Sequence, residues 1–194
     1  MPAFERTLHR ILGIDPGTVT TGYAILEIRG TSMIIIEIGV IGLDAFAAHP
    51  ERLLKIWERL QAIMKTHQPA VMAIEAPFYA KNAQSMLKLG RAQGVAIAAA
   101  MERGLEICEY APRKIKQSIT GNGNARKEQV AYLLQSQFKV DLSGQLLDAT
   151  DALAAAVCHH NQGSIPGELS RGKSGTKSSW KRFLGDNPDR ISHA

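Results

Sequence analysis

The spacing of apolar residues changes repeatedly along this chain, from short runs to a helical period and back. Ile11 to Ile14 is an apolar run that ends abruptly in Asp15, and Pro16-Gly17 then turns the chain. A β-rich run from Thr20 to Ile28 follows at once, and Met33 to Ile41 is a third. Runs bounded by Pro-Gly and similar punctuation read as strands. Three in succession with short links predict an antiparallel meander. The period then lengthens. Between Pro50 and Gln68, Leu53, Trp57, Leu60 and Met64 fall at helical spacing with charged residues between them. That pattern predicts an amphipathic helix over one sheet face, with Trp57 in the core.

Ala70 to Glu75 is a fourth strand, again an apolar run ending in a carboxylate, and Pro77 breaks regular structure just beyond it. Asn82 to Arg103 reads as a long Ala-rich helix. Its small residues, Gly90, Gly94 and Ala98 to Ala100, permit close approach by its own sheet or by the same helix of a second copy. Leu105 to Tyr110 is a fifth strand. Pro112 opens a short helix to Ile119, and Thr120 to Ala125 reads as a flexible loop. Arg126 to Phe138 is amphipathic, with Val130, Leu133, Leu134 and Phe138 inward, and a last helix runs from about Leu146 to His160. Strands first, then strand–helix alternation, predict an α/β domain with a mixed five-stranded sheet and helices on both faces. Its first three strands are antiparallel and the later ones parallel. Residues 10–161 are expected to form this domain, after an N-terminal extension of residues 1–9. From Gln162 the chain holds five Gly and six Ser in 33 residues, which predicts a basic, weakly ordered tail over 162–194.

Composition narrows the class. A chain of 194 residues with 45% hydrophobic content can bury a sizeable core. The apolar run Met33 to Leu43 is too short for a membrane span and carries Glu37. The start of the chain lacks the basic and apolar regions of a signal peptide, so a cytoplasmic protein is expected. Cys108 and Cys158 share no Cys-x-x-Cys motif and read as free thiols of a reducing compartment, with no zinc site. The formal charge is +5, and residues 81–127 carry nine Lys or Arg against three Glu. Such a stripe suits a nucleic-acid backbone, although a solvated surface has the same composition.

Candidate chemistry comes from carboxylates. Asp15 alone is ordinary turn chemistry, and Asp148 with Asp151, three apart at the start of a helix, is alone ordinary capping chemistry. Together with Glu75 they form a different pattern. Two carboxylates end apolar strands, and two more open a helix able to cross the same sheet edge. Four carboxylates on one spot repel unless a cation neutralises them. Oxygen-only donors suit Mg²⁺ or Mn²⁺, and two such ions serve phosphodiester hydrolysis. His159 and His160 follow that acidic pair by two turns or more and read as surface or local packing.

Three blocks carry a resemblance. Gly13-Ile-Asp-Pro-Gly-Thr18 with Thr21-Gly-Tyr23, Ala73 to Ala83 with Leu87 to Gly94, and Asp148-Ala-Thr-Asp-Ala-Leu-Ala154 resemble the RuvC family of Holliday-junction resolvases, over about residues 10–161. The resemblance implies an RNase H-like fold and a homodimer that nicks a four-way DNA junction twice, symmetrically and with metal. It implies Asp15, Glu75, Asp148 and Asp151 as catalytic metal ligands, with Mg²⁺ (or Mn²⁺), two ions per site. Phe78 takes the place of the family's base-stacking aromatic, with Tyr79 beside it. Lys116 and Lys127 match basic residues near the scissile phosphate, and Lys81, Arg113, Lys114 and Arg126 are expected backbone contacts. The family acts with the RuvA–RuvB branch-migration machinery. Two other readings compete. The Asp-Pro-Gly turn also resembles the phosphate loop of actin-like ATPases, but Ala-Pro-Phe after Glu75 replaces the second glycine-rich loop those proteins need. A non-catalytic junction binder has no reason to collect negative charge.

Overall fold

The computed structural model describes residues 9–46, 48–76, 83–140 and 147–163. The expected N-terminal extension, apart from His9, and the tail beyond Gly163 lie outside these residues. Five strands alternate with helices in the order β1 (His9–Asp15), β2 (Thr20–Arg29), β3 (Ser32–Gly42), α1 (His49–His67), β4 (Val71–Glu75), α2 (Ala83–Glu102), β5 (Glu106–Tyr110), α3 (Pro112–Thr120), α4 (Lys127–Phe138) and α5 (Leu147–Gly163). The sheet order is β3-β2-β1-β4-β5. β1 pairs antiparallel with β2, and β2 with β3, whereas β1 with β4 and β4 with β5 run parallel. The mixed sheet is the one that the strand pattern predicts.

Alternation along the central strands feeds two cores. Leu12, Ile14, Tyr23, Ile25, Met72 and Ile74 face α1 and α2. Ile11, Ala24, Leu26, Val71 and Ala73 face α5, with Ile115 of α3 and Val130 and Leu134 of α4. Helices therefore cover both faces, because central strands apolar on each side need a partner on each side.

Three expectations fail in detail. Trp57 is 38% exposed, and α1 instead buries Ile56, Leu60, Ile63 and Met64. The cause is the partner: α1 packs against the small residues Ala92, Ala96, Ala99 and Ala100 of α2, which shifts the covered stripe away from Trp57. Gly90 and Gly94 of α2 face open space, so they do not mediate that packing. Leu133 is also exposed while Val130 and Leu134 are buried, because the face of α4 that meets α5 is narrow. The 120–125 loop is pinned as well. Gly121 caps α3 at φ 74°, Asn124 N donates to Asn122 Oδ1 at 3.0 Å, and Ala125 is buried. Among the described residues no helix is long and apolar enough to cross a membrane.

Candidate active site

The site is built at the edge where β1 and β4 end. Ile11 to Ile14 stand opposite Val71 to Ile74 in parallel register, and one further step places Asp15 beside Glu75. Both carboxylates are in phase with the side chains that face α5: Ile11 and Gly13 precede Asp15, and Val71 and Ala73 precede Glu75. Strand period alone therefore sends both toward the same helix.

Two glycines bring that helix down. A Cβ on Gly13 would overlap the carbonyl oxygen of Ala152, and one on Gly22 would overlap that of Asp148. Gly13 and Gly22 lie on adjacent strands, with Gly22 directly opposite Asp15. Glycine in a strand interior often marks such close approach of another backbone. The first turns of α5 thus rest on the sheet next to Asp15, and their small residues, Ala149, Ala152, Ala155 and Ala156, are fully buried. Asp148 and Asp151, three residues apart, follow the helix into the same place.

The electrostatics record the crowding. Burial, then the charges of Glu75, Asp151 and Asp148, push the Asp15 carboxyl from 3.8 up to about 8, against the opposing pull of Lys127. Burial and Asp151 push Glu75 upward too, with Lys127 and Lys116 opposing. Lys127 is the local counter-charge: its ammonium donates to Asp151 Oδ2. Burial works to lower the Lys127 pKa, but the hydrogen bond to Asp151 and the charges of Asp151, Asp15 and Glu75 outweigh it and raise it. Glu75, Asp151, Lys116 and Lys127 line a cavity of about 110 Å³ between α3, α4 and α5. A larger open groove of about 620 Å³, bordered by Arg126, Tyr132 and Leu133, includes none of the four carboxylates.

Of the expected nucleic-acid contacts among the described residues, Lys116 and Lys127 line the cavity with Glu75 and Asp151, and Arg113, Lys114 and Arg126 stand elsewhere. Arg126 precedes α4 on the larger groove, Arg113 packs against Gly123, and the charge of Lys114 bears on the buried Cys158 thiol. Phe78, Tyr79 and Lys81 lie outside the described residues. His159 accepts or donates a hydrogen bond with the Tyr110 hydroxyl at 2.8 Å, which is local packing. One contact escaped sequence reasoning. The Thr20 hydroxyl donates to Asp148 Oδ2. A run of threonines after a turn carries no signal that would single it out.

The donor set fits a hard divalent cation. The four groups supply only oxygen, and burial and three neighbouring carboxylates raise Asp15 further than Lys127 lowers it. Among the described residues no three His, Cys, Asp or Glu side chains are gathered as a ready-made metal group. Asp148 is turned to Thr20 and Asp151 to Lys127, the partners that neutral and cationic donors offer them.

A mixed five-stranded sheet in this order, with carboxylates at its edge and lysines beside them, defines an RNase H-like nuclease. The profile of the family "Crossover junction endodeoxyribonuclease RuvC" matches residues 11–159. The chain is 50% identical to crossover junction endodeoxyribonuclease RuvC of Cytophaga hutchinsonii over 187 residues, covering 96% of this chain and 90% of that one. It is 51% identical to the Bacteroides fragilis RuvC over 183 residues, or 93% of this chain and 95% of the other. Among solved structures, Thermus thermophilus RuvC in complex with Holliday junction substrate superposes with a TM-score of 0.75 at 26% identity, over 80% of this chain and 94% of that one. The chain belongs to the RuvC family of crossover junction endodeoxyribonucleases.

Proposed function

We propose that the chain resolves four-way DNA junctions in recombination and repair by paired, symmetric nicks. Asp15, Glu75, Asp148 and Asp151 hold Mg²⁺ or Mn²⁺, with two ions per site. The observation that carries this reading is the meeting of three separate chain segments, two strands that end in carboxylates and a helix that opens with two, around Lys127. When bound, the cations supply activated water and steady the leaving oxygen. Lys116 and Lys127 offset phosphate charge at the cavity, and Phe78, with Tyr79 beside it, stacks on bases near the crossover. Lys81, Arg113, Lys114 and Arg126 contact the backbone farther out.

The active form is a homodimer, which supplies one site for each of two symmetry-related strands. Support comes from α2: Leu87 and Met101 are 59% and 64% exposed, and Gly90, Gly94 and Ala98 lie between them on an open face. Apolar ends flanking small residues allow two helices to approach closely. Residues 10–161 form the nuclease domain and residues 162–194 a basic tail, in a cytoplasmic protein that works with RuvA–RuvB. The experiment is cleavage of a synthetic mobile four-way junction beside a linear duplex of equal length, with Mg²⁺ and with EDTA. Paired, metal-dependent nicks on the junction alone are expected. Binding without cutting would transfer the protein to the class of junction-binding scaffolds. Phe78→Ala is expected to impair cleavage while leaving the melting temperature unchanged; normal cleavage would remove Phe78 from the stacking role.

A further inference from the structure

We propose that Thr20 and Arg52 are positioning residues for cleavage: Thr20 orients the Asp148 carboxylate, and Arg52 holds the turn that carries Thr20. This rests on the reading of Asp148 as a metal ligand. Thr20 is the first residue of β2, where it pairs with Gly42 of β3. Its hydroxyl donates to Asp148 Oδ2, so one carboxylate oxygen is fixed without loss of its charge. Such outer partners orient metal-binding side chains and commonly change metal affinity or activity 10–100-fold when removed. Asp148 needs that restraint because Asp15 lies close enough for the two charges to repel.

Thr20 can act only if the turn from Pro16 to Val19 stays in place. Several contacts hold that turn. Thr21 Oγ1 donates to the Gly17 carbonyl at 3.2 Å, and Leu43 N donates to the Val19 carbonyl at 2.9 Å. Gly17 is required where a Cβ would overlap the Thr20 carbonyl oxygen. The remaining restraint is Arg52, half-buried in the first turn of α1. Its Nη1 donates to the Thr18 carbonyl at 2.8 Å and its Nε to the Phe46 carbonyl at 2.7 Å. One rigid guanidinium thus joins the turn after Asp15 to the segment after β3, with the nineteen-residue α1 as anchor. A lysine ammonium lacks the planar fork needed to span two carbonyls.

The test compares Thr20→Val, Thr20→Ser, Arg52→Ala, Arg52→Lys and Asp148→Asn with the full chain. Readouts are the single-turnover cleavage rate of a four-way junction across a Mg²⁺ titration, junction affinity in Ca²⁺, and the melting temperature. Thr20→Val is expected to lower the rate at limiting Mg²⁺ by about 10–100-fold and to raise the half-saturating Mg²⁺ concentration. Junction affinity and melting temperature should not move. Thr20→Ser keeps the hydroxyl and should cleave nearly as the natural chain does. Arg52→Ala should show the same Mg²⁺ defect, be relieved by millimolar guanidinium, and not be relieved by Arg52→Lys. An unchanged Mg²⁺ profile in Thr20→Val, with Asp148→Asn inactive, overturns the role of Thr20 and leaves the ligand assignment standing. A folded Thr20→Ser as defective as Thr20→Val overturns it equally. If Asp148→Asn cleaves normally, the ligand assignment falls and the positioning role with it. A defect in Arg52→Ala that guanidinium leaves untouched and that tracks a lower melting temperature overturns the role of Arg52.

Discussion

Glu27 and Asp15 are carboxylates near opposite ends of the same antiparallel strand pair, and their surroundings drive them in opposite directions. Glu27 is fully buried, yet Arg10 lies directly across from it in register. Arg10 Nε donates to Glu27 Oε2 at 2.8 Å, and Arg29 Nε donates to Oε1. Hydrogen bonds from Arg10 and Arg29 hold the Glu27 carboxyl below its ordinary range despite burial. The same Arg10 also donates through Nη1 to the His67 carbonyl, which ties the end of α1 to the sheet. Around Asp15 the charges run the other way: among the described residues, Glu75, Asp151 and Asp148 push its carboxyl up, and Lys127, bonded to Asp151, pulls it down. A buried carboxylate that serves the fold arrives with its arginines. The Asp15 carboxyl instead stands among other carboxylates, with Lys127 as their shared counter-charge.

The largest effect should come from Asp15→Asn. Cleavage of a four-way junction is expected to fall on the order of 10³-fold or more, while junction binding measured in Ca²⁺ persists. Loss of binding as well would make Asp15 a structural residue like Glu27 and erase the contrast. Glu27→Gln should do the reverse. It leaves Arg10 and Arg29 without their shared anion, so the melting temperature should drop clearly while the cleavage rate per folded molecule holds. A junction-cleavage defect in folded Glu27→Gln would show that the two ends are not separable.

A smaller effect distinguishes the two by pH. Because Asp15 is raised from 3.8 to about 8 in the fold, the folded state holds more protons than the unfolded one between those values. Its contribution to stability is therefore present below about pH 4 and lost as pH rises toward 8. Glu27 has the opposite sign, with stability present above its ordinary 4.5 and lost as pH falls through its lowered value. In EDTA, Asp15→Asn should flatten the decline of melting temperature between pH 5 and pH 8 without touching the acid limb. Added Mg²⁺ should raise the melting temperature of the natural chain at pH 8 more than that of the variant. Parallel pH curves for the two proteins would show that Asp15 is not held in its raised state.

Much of this is legible in the amino-acid sequence. The strand Ile11 to Ile14 ending in Asp15, and the strand Val71 to Ile74 ending in Glu75, are both written as apolar runs that stop at a carboxylate. Asp148 and Asp151 are legible as a pair because three-residue spacing puts them on one helix face, although capping chemistry has the same spacing. Periodicity places Trp57 and Leu133 inward and the structure exposes both, for a common reason. Periodicity identifies an apolar stripe, but the width of the stripe that is covered depends on the neighbour. Alanines on α2 draw α1 onto Ile56 and Ile63, and the core under α5 takes in Val130, Leu134 and Phe138 of α4.

By itself the sequence determined the elements, the mixed sheet and the acidic residues available for chemistry, because period, turns and strand ends are local properties of the chain. Tertiary structure alone decided which of those residues meet. Gly13 and Gly22 read as ordinary interruptions until the helix backbone at Ala152 and Asp148, 139 and 126 residues later, is seen resting on them. Thr20, Arg52 and Lys127 acquire their partners only in the tertiary structure, through contacts 128, 34 and 24 residues apart. Such pairings depend on how closely two layers approach, and no local pattern encodes a distance between layers.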